Sequence, residues 1–317
     1  MPGFTTHYLF GVHTLKRGSS FAFPSDIKNN KAAFGLGLQG PDVSFYYLPG
    51  YAIYGTNIGS VVHTTSTNLF LKNLLKSRKL FTAPDELSIA KAYICGFFGH
   101  YLLDTTCHPY IYGRSKNTPD NPASFSRHVY LECDIDVALL ARYKKMLPGA
   151  FHQEKTIALS QTEHRIIARM LHYCFTLTYP KLHVSYATAL GATFSMPLGC
   201  KLFYGGTSNR KKALFRRAER IFPGYAVVSP LIESNTLCFF ADPLNERQRT
   251  WQNPWDASKV SNASFPTLFS DAMKKYEVCL DYLNSLFDLP YSSVEAAFSA
   301  DILDFVGNLS YHSGLTL

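Results

Sequence analysis

The chain has 317 residues, 46% hydrophobic and 15% aromatic, with 31 Lys and Arg against 23 Asp and Glu for a net charge of +8. That composition suits a folded, soluble chain with material for a sizeable core, in one or two domains by length. It excludes an integral membrane protein: no uninterrupted apolar run reaches the roughly 18 residues of a membrane span, and the longest, Ala92 to Leu103, is broken by His100.

In chain order, periodic apolar residues predict helices over Ile58 to Leu75, Leu87 to His108, Phe125 to Met146, Lys155 to Leu177, Leu182 to Ala192, Arg210 to Ile221, Phe265 to Phe287 and Ser293 to Leu309. Strand signals are thin, limited to Ala226-Val227-Val228 and Thr236 to Phe240, which could pair. The breaks are Lys116 to Pro122, Phe203 to Ser208 and Leu244 to Asn262. The first reads as a surface loop beside a cleft, and the last, polar and carrying Trp251 and Trp255, as a long connection or a lid. The expectation is an all-α chain: one helical domain over 1–317, candidate ligands within 1–140, and a helical extension from about 150 whose independence is open.

The chemistry concentrates in Gly99 to His108 and Arg127 to Glu132. On a helix, steps of four put His100, Asp104 and His108 on one side, and likewise His128 and Glu132. A single histidine on an apolar helix is more often a core residue bonded to a carbonyl. Two adjacent His/carboxylate pairs, one extended by a further His, point instead to divalent metal, and nitrogen with carboxylate favours zinc. One ion cannot serve the whole set, because His100 and His108 stand about 12 Å apart along the axis. A cluster is the simpler reading, with Asp104 bridging neighbouring ions through its two oxygens. Upstream candidates are His7, Asp42 in the Gly/Pro-rich loop Gly37 to Asp42, and His63 at the head of an amphipathic segment.

The seven cysteines are odd in number and lack paired CxxC spacing, so neither a thiolate metal site nor a disulfide framework is expected. They read as reduced, mostly buried residues; Cys107 and Cys133 adjoin candidate ligands but point roughly 100° away on a helix. The start, Met1 to His7, shows no basic stretch ahead of an apolar run, so no signal peptide and a cytoplasmic location are predicted.

The succession His7, Asp42, His63, His100-xxx-Asp104, His108 and His128-xxx-Glu132 resembles the zinc-dependent phospholipase C family, whose superfamily includes the zinc-dependent single-strand nucleases. The likeness extends over about the first 140 residues, and its opening, Leu38 to Tyr47 and Gly99 to Tyr112 look closest to the bacterial phospholipase C-like group. It implies a mostly helical domain with three zinc ions in a cleft. Asp42, His63, His100 and Asp104 would hold one ion; His108, His128 and Glu132 a second; His7 with bridging Asp104 a third. In the relatives an amino group exposed by processing, that of a Trp, completes the third site. This chain begins Met-Pro-Gly, so either another ligand serves there or removal of Met1 leaves the Pro2 amine to do so.

The implied reaction is metal-assisted phosphodiester hydrolysis, with Asp42 and Asp104 as the catalytic carboxylates and an activated water attacking phosphorus in line. A phospholipid cleaved on its glycerol side is the leading substrate, with peripheral membrane contact. Rival readings are a single-strand nuclease or general phosphodiesterase, and a non-enzymatic metal-binding module. Arg210, Lys211, Lys212, Arg216, Arg217 and Arg220 on one predicted helix are either a solvated face or a footprint for lipid headgroups or nucleic-acid phosphate. Phe45, Tyr46 and Tyr47 either line the cleft, against a choline or a base, or are buried surface.

Overall fold

The computed structural model describes residues 3–17, 25–115, 122–220, 228–289 and 293–317. The chain runs α1 (Phe4–Arg17), α2 (Ser25–Asn29), α3 (Lys31–Gly37), a 3₁₀ turn (Gly40–Tyr46), α4 (Pro49–Tyr54), α5 (Ile58–Thr64) and α6 (Thr67–Ser77). Then come α7 (Pro84–Ser115), α8 (Pro122–Lys144), α9 (Gln153–Thr156), α10 (Gln161–Thr178), α11 (Tyr186–Phe203) and α12 (Arg210–Glu219). A hairpin of β1 (Trp251–Asn253) and β2 (Asp256–Ser261) precedes α13 (Phe265–Asp288) and α14 (Ser293–Val306).

The all-α expectation holds, and α7 is its axis. Residues Ala92 to Leu103 are buried on every side of this helix, because α3, α13, α1 and α10 surround it. Glycines permit the closest approach. A Cβ on Gly37 would stand 2.3 Å from the Tyr93 carbonyl, and one on Gly96 2.3 Å from that of Phe34, so α3 and α7 meet backbone to backbone only with hydrogen at both positions.

Helix boundaries depart from the sequence reading where local chemistry overrides periodicity. The stretch from Ile58 divides into α5 and α6 because Ser66 adopts φ +53°, outside the helical region. The stretch from Lys155 divides at Ser160, whose hydroxyl and backbone form a reciprocal capping box with Glu163 and start α10 afresh. Helix α7 continues past His108 through Pro109, which has no amide to offer the Thr105 carbonyl. Gly314 packs against that carbonyl, where any side chain would be within 2.4 Å.

The strand expectation is corrected. Ala226 and Val227 lie outside the described residues, and Thr236 to Phe240 form no strand. The amides of Cys238, Phe239 and Phe240 instead converge on the buried Asp134 carboxylate of α8 at 2.5, 2.9 and 2.8 Å, a competitor that sequence spacing does not reveal. The only sheet among the described residues is the antiparallel β1–β2 hairpin, inside the segment read as a connection or lid. It packs on the end of α7, with Gly113 against the Gln252 carbonyl. All seven cysteines are free thiols, with Cys133 and Cys238 partly exposed. No helix of the described residues is long and apolar enough to cross a membrane.

Candidate metal centre

Five separate elements deliver the eight sequence-derived candidates to one place. His7 comes from the first turns of α1, Asp42 from the 3₁₀ turn, His63 from the end of α5, His100, Asp104 and His108 from α7, and His128 and Glu132 from α8. All eight are buried. Asp104 is the hub: Oδ1 stands 3.2 Å from His7 Nε2, and Oδ2 stands 3.1 Å from His100 Nε2, 3.5 Å from His108 Nδ1 and 3.7 Å from His63 Nε2. Asp42 Oδ1 is 3.2 Å from His63 Nε2 and 3.9 Å from His100 Nε2. Glu132 Oε1 lies 2.7 Å from His128 Nε2 and 3.8 Å from His108 Nε2.

These spacings suit an ion between the donors better than direct bonds. Two donors each 2.0–2.2 Å from one tetrahedral zinc lie about 3.3–3.6 Å apart, and most of the contacts above fall around that value. Nε2 of His7, His63, His100 and His108, with Oδ1 of Asp42 and both oxygens of Asp104, are buried without a hydrogen-bond partner. Buried polar groups are normally satisfied, so such a concentration marks a missing ligand. One donor atom each of His7, Asp42 and His100 lies within 4.8 Å of the others, as do those of His63, His100 and Asp104, and those of His108, His128 and Glu132. His7 therefore sits near Asp42 and His100 as well as Asp104.

In three of the histidines Nδ1 is already anchored, in His108 the same nitrogen that lies near Asp104. His63 Nδ1 pairs with the Gly59 carbonyl at 2.7 Å, His100 Nδ1 with that of Leu38 at 3.2 Å, and His108 Nδ1 with that of Tyr311 at 2.7 Å. A carbonyl there makes Nδ1 the protonated nitrogen and leaves the Nε2 lone pair turned inward, the arrangement metal-binding histidines use. His7 is placed by its helix start. The Thr5 and Thr6 amides and the Thr6 hydroxyl all donate to Asp136 of α8, and Gly3 makes room, since a Cβ there would overlap that carboxylate.

Electrostatics couple the group. Burial opposes ionisation of Asp104, yet His100 and His108 beside it hold its carboxyl well below the usual carboxylate range. Burial also lowers His63, but the carboxylates of Asp104 and Asp42 outweigh it and lift this histidine to about 9. His108 and His128 are pushed well below the ordinary histidine value by burial, and burial raises Glu132 well above the carboxylate range.

Gly40 holds the site open. Its φ is +52°, and a Cβ would stand 2.3 Å from the His100 ring. Gly40→Ala is therefore expected to cost at least about 1–3 kcal/mol of stability and to reduce zinc uptake by displacing His100. Thermal unfolding with elemental analysis checks this, and a variant with unchanged melting temperature and metal content contradicts it.

A family model described as zinc dependent phospholipase C matches residues 6–189, a span that includes every one of these side chains. The chain belongs to that family. Comparison with curated proteins and with solved structures finds no match. Within this zinc-dependent family a donor set of imidazoles and carboxylates fits zinc as cofactor, and the buried, partnerless nitrogens of this chain fit it independently.

A cavity of about 110 Å³ adjoins the cluster, with Asp42 and Glu132 on one side and Tyr46, Met196, Phe203 and Leu231 among its apolar walls. Two further carboxylates border it: burial pushes Asp136 up to about 6 and Glu233 up to about 8. Of the aromatic run, Tyr46 lines this cavity, Phe45 lies 5.6 Å from His63, and Tyr47 packs on Gly191.

Tyr311 and His312 were not foreseen. The His312 ring lies 5.6 Å from that of His63 and 5.9 Å from that of His108, Tyr311 is 4.8 Å from His63, and Trp255 is 4.7 Å from Tyr112. Neither C-terminal residue has an i, i+4 partner of matching chemistry, so spacing carries no signal for them. Met1 and Pro2, and with them the proposed Pro2 amine, lie outside the described residues. The loop expected at Lys116 to Pro122 also lies largely outside them.

Proposed function

We propose that this chain hydrolyses a phosphodiester at a cluster of two to three zinc ions, and that a phospholipid cleaved on the glycerol side is its substrate. The observation that carries the reading is the Asp104 carboxylate, buried among four imidazoles with neither oxygen hydrogen-bonded. In this reading Asp42, His63, His100 and Asp104 hold one ion, His108, His128 and Glu132 a second, and His7 with Asp104 a third.

Zinc bound there would lower the pKa of a water toward neutrality and offset the charge of the phosphate. The chain's own residues do the rest. Asp104 joins two of the groups in this reading, because one oxygen faces His7 and the other faces Nε2 of His63 and His100, while His108 turns to it the Nδ1 that the Tyr311 carbonyl already holds. The carbonyls of Gly59, Leu38 and Tyr311 fix three rings so that nothing need reorganise during turnover. In this reading Asp42 takes the proton of the attacking water, a role supported by its position bordering both the cluster and the cavity. The apolar cavity walls would receive the less polar part of the substrate and keep bulk water away.

Purified protein should hold two to three zinc equivalents, since eight side chains with one bridge supply about three ligands per ion for three ions and four to five for two. It should also cleave phosphatidylcholine to diacylglycerol. Absence of metal after reconstitution sinks the site. Cleavage of single-stranded DNA or a nitrophenyl phosphodiester with no action on phospholipid moves the substrate to the nuclease or general phosphodiesterase class. Full metal without turnover on any phosphoester leaves a binding module.

A further inference from the structure

Helix α11 is apolar all round, yet only one side of it is covered. Ala189, Ala192, Thr193, Met196 and Cys200 are buried. On the opposite side Phe194, Leu198 and Leu202, at steps of four, are 41%, 67% and 62% exposed. A surface helix ordinarily turns polar residues to water, so three large apolar groups in a row mark a face that meets something else. The face continues onto α12, where Leu214 is 67% and Phe215 39% exposed. The two helices are tied together, since Lys211 Nζ donates to the carbonyls of Leu202 and Tyr204.

The charge around this face is predominantly positive. Lys212 of the basic run is buried, its ammonium on the Ile232 carbonyl, and Lys211 is partly buried. Arg216, four residues on from Lys212, reaches back over the Tyr130 ring at 5.9 Å, while Arg210, Arg217 and Arg220 remain exposed, as does Lys201 on α11. Glu219, the acid in their midst, is turned to the amides of Val228 and Ser229. We propose that the outer face of α11 together with α12 docks on an anionic lipid bilayer. Exposed leucines and phenylalanines ringed by arginines are the composition of an interfacial helix, which buries its apolar side at the headgroup boundary while its basic side meets anionic lipid. A second copy of this chain is disfavoured, because a two-fold contact would set the same arginines against each other. Nucleic acid would use the arginines but leave the leucines in water.

The placement gives the docking a purpose. Met196, Cys200 and Phe203, on the inner side of the same helix, line the cavity beside the candidate metal centre, and Leu231 both lines it and reaches the surface. Docking through the outer face of α11 would bring that cavity to within about one helix's width of the bilayer. This last point rests on the reading of the site as a phospholipid hydrolase; the docking itself does not.

The test uses full-length, zinc-loaded protein and vesicles of phosphatidylcholine alone or enriched in phosphatidylglycerol. Sedimentation should show binding to the anionic vesicles that weakens with salt. Leu198→Ser with Leu202→Ser, and separately Arg210→Gln with Arg217→Gln, should each weaken it at least about tenfold, at roughly fivefold per arginine. Zinc content and hydrolysis of a soluble nitrophenyl phosphodiester should stay at the parent level. If no phosphoester is cleaved but the vesicle results hold, the catalytic reading falls and the docking surface stands. Unaltered vesicle binding by both pairs overturns the docking. So does a parent protein that ignores vesicles while the variants dissolve a dimer or lose single-stranded DNA.

Discussion

Asp104→Asn should strip at least one zinc equivalent and reduce phosphodiester hydrolysis by at least about 100-fold, more than a substitution at His7. The asparagine keeps the shape of the side chain but replaces one acceptor oxygen with an NH₂ group and removes the negative charge. Four imidazoles lie within 3.7 Å of that carboxylate, so the change is felt by every group of donors it joins. Loss of a second-layer partner of a metal ligand alone costs about 10–100-fold in affinity or activity, and a shared ligand must exceed that. His7→Gln removes one nitrogen from one side of the carboxylate and leaves His63, His100 and His108 in place. Elemental analysis and turnover measured on both variants decide the matter. Full zinc and full rate in Asp104→Asn would remove the bridge from the mechanism.

The convergence of the candidate side chains was legible because helical geometry converts sequence spacing directly into a shared face. His100, Asp104 and His108 needed no tertiary information beyond the helix itself, and neither did His128 with Glu132. His7, Asp42 and His63 were legible only through their order along the chain, since three different elements carry them. What anchors the rings was not legible. The Tyr311 carbonyl lies 203 residues from His108 in sequence, and a backbone carbonyl has no residue signature. The same limit explains the strand reading, in which Asp134 claims three amides from a distance of about a hundred residues. The hairpin inside the polar stretch Leu244 to Asn262 escaped notice because its strands are short and β2 is largely exposed, which erases the alternation that marks a half-buried strand.

The docking face shows the reverse case, in which sequence overstated the signal. Six basic residues on one helix looked like a single patch, but the ammonium of Lys212 is turned inward to the Ile232 carbonyl and that of Lys211 to the end of α11. The leucines around the remaining arginines carry as much of the argument as the charge does.

Removal of zinc should lower the melting temperature by roughly 6 °C for each ion bound at a free concentration 1,000 times its dissociation constant. Such an ion contributes about 4.1 kcal/mol, and 317 residues at about 2.1 cal/mol/K each give an unfolding entropy near 0.67 kcal/mol/K. Two or three ions would together be worth on the order of 12–18 °C. The physical source is the set of seven donor atoms of His7, Asp42, His63, His100, Asp104 and His108 that are buried with no hydrogen-bond partner in the protein and that removal of the ions would leave unsatisfied. Each such group costs about 1–3 kcal/mol when left unsatisfied. The loss should begin at the C-terminal segment, because the Tyr311 carbonyl holds the His108 ring and Asn253 Nδ2 donates to the Ser313 carbonyl, tying segment and hairpin to the cluster. Leu309, bound by its amide to the Tyr101 hydroxyl, precedes them in the same segment and should open later. Calorimetry with and without chelator reads the first effect, and hydrogen exchange of amides in 309–316 reads the second. A melting temperature that neither chelator nor added zinc shifts would mean that the buried donors are satisfied by some means other than metal.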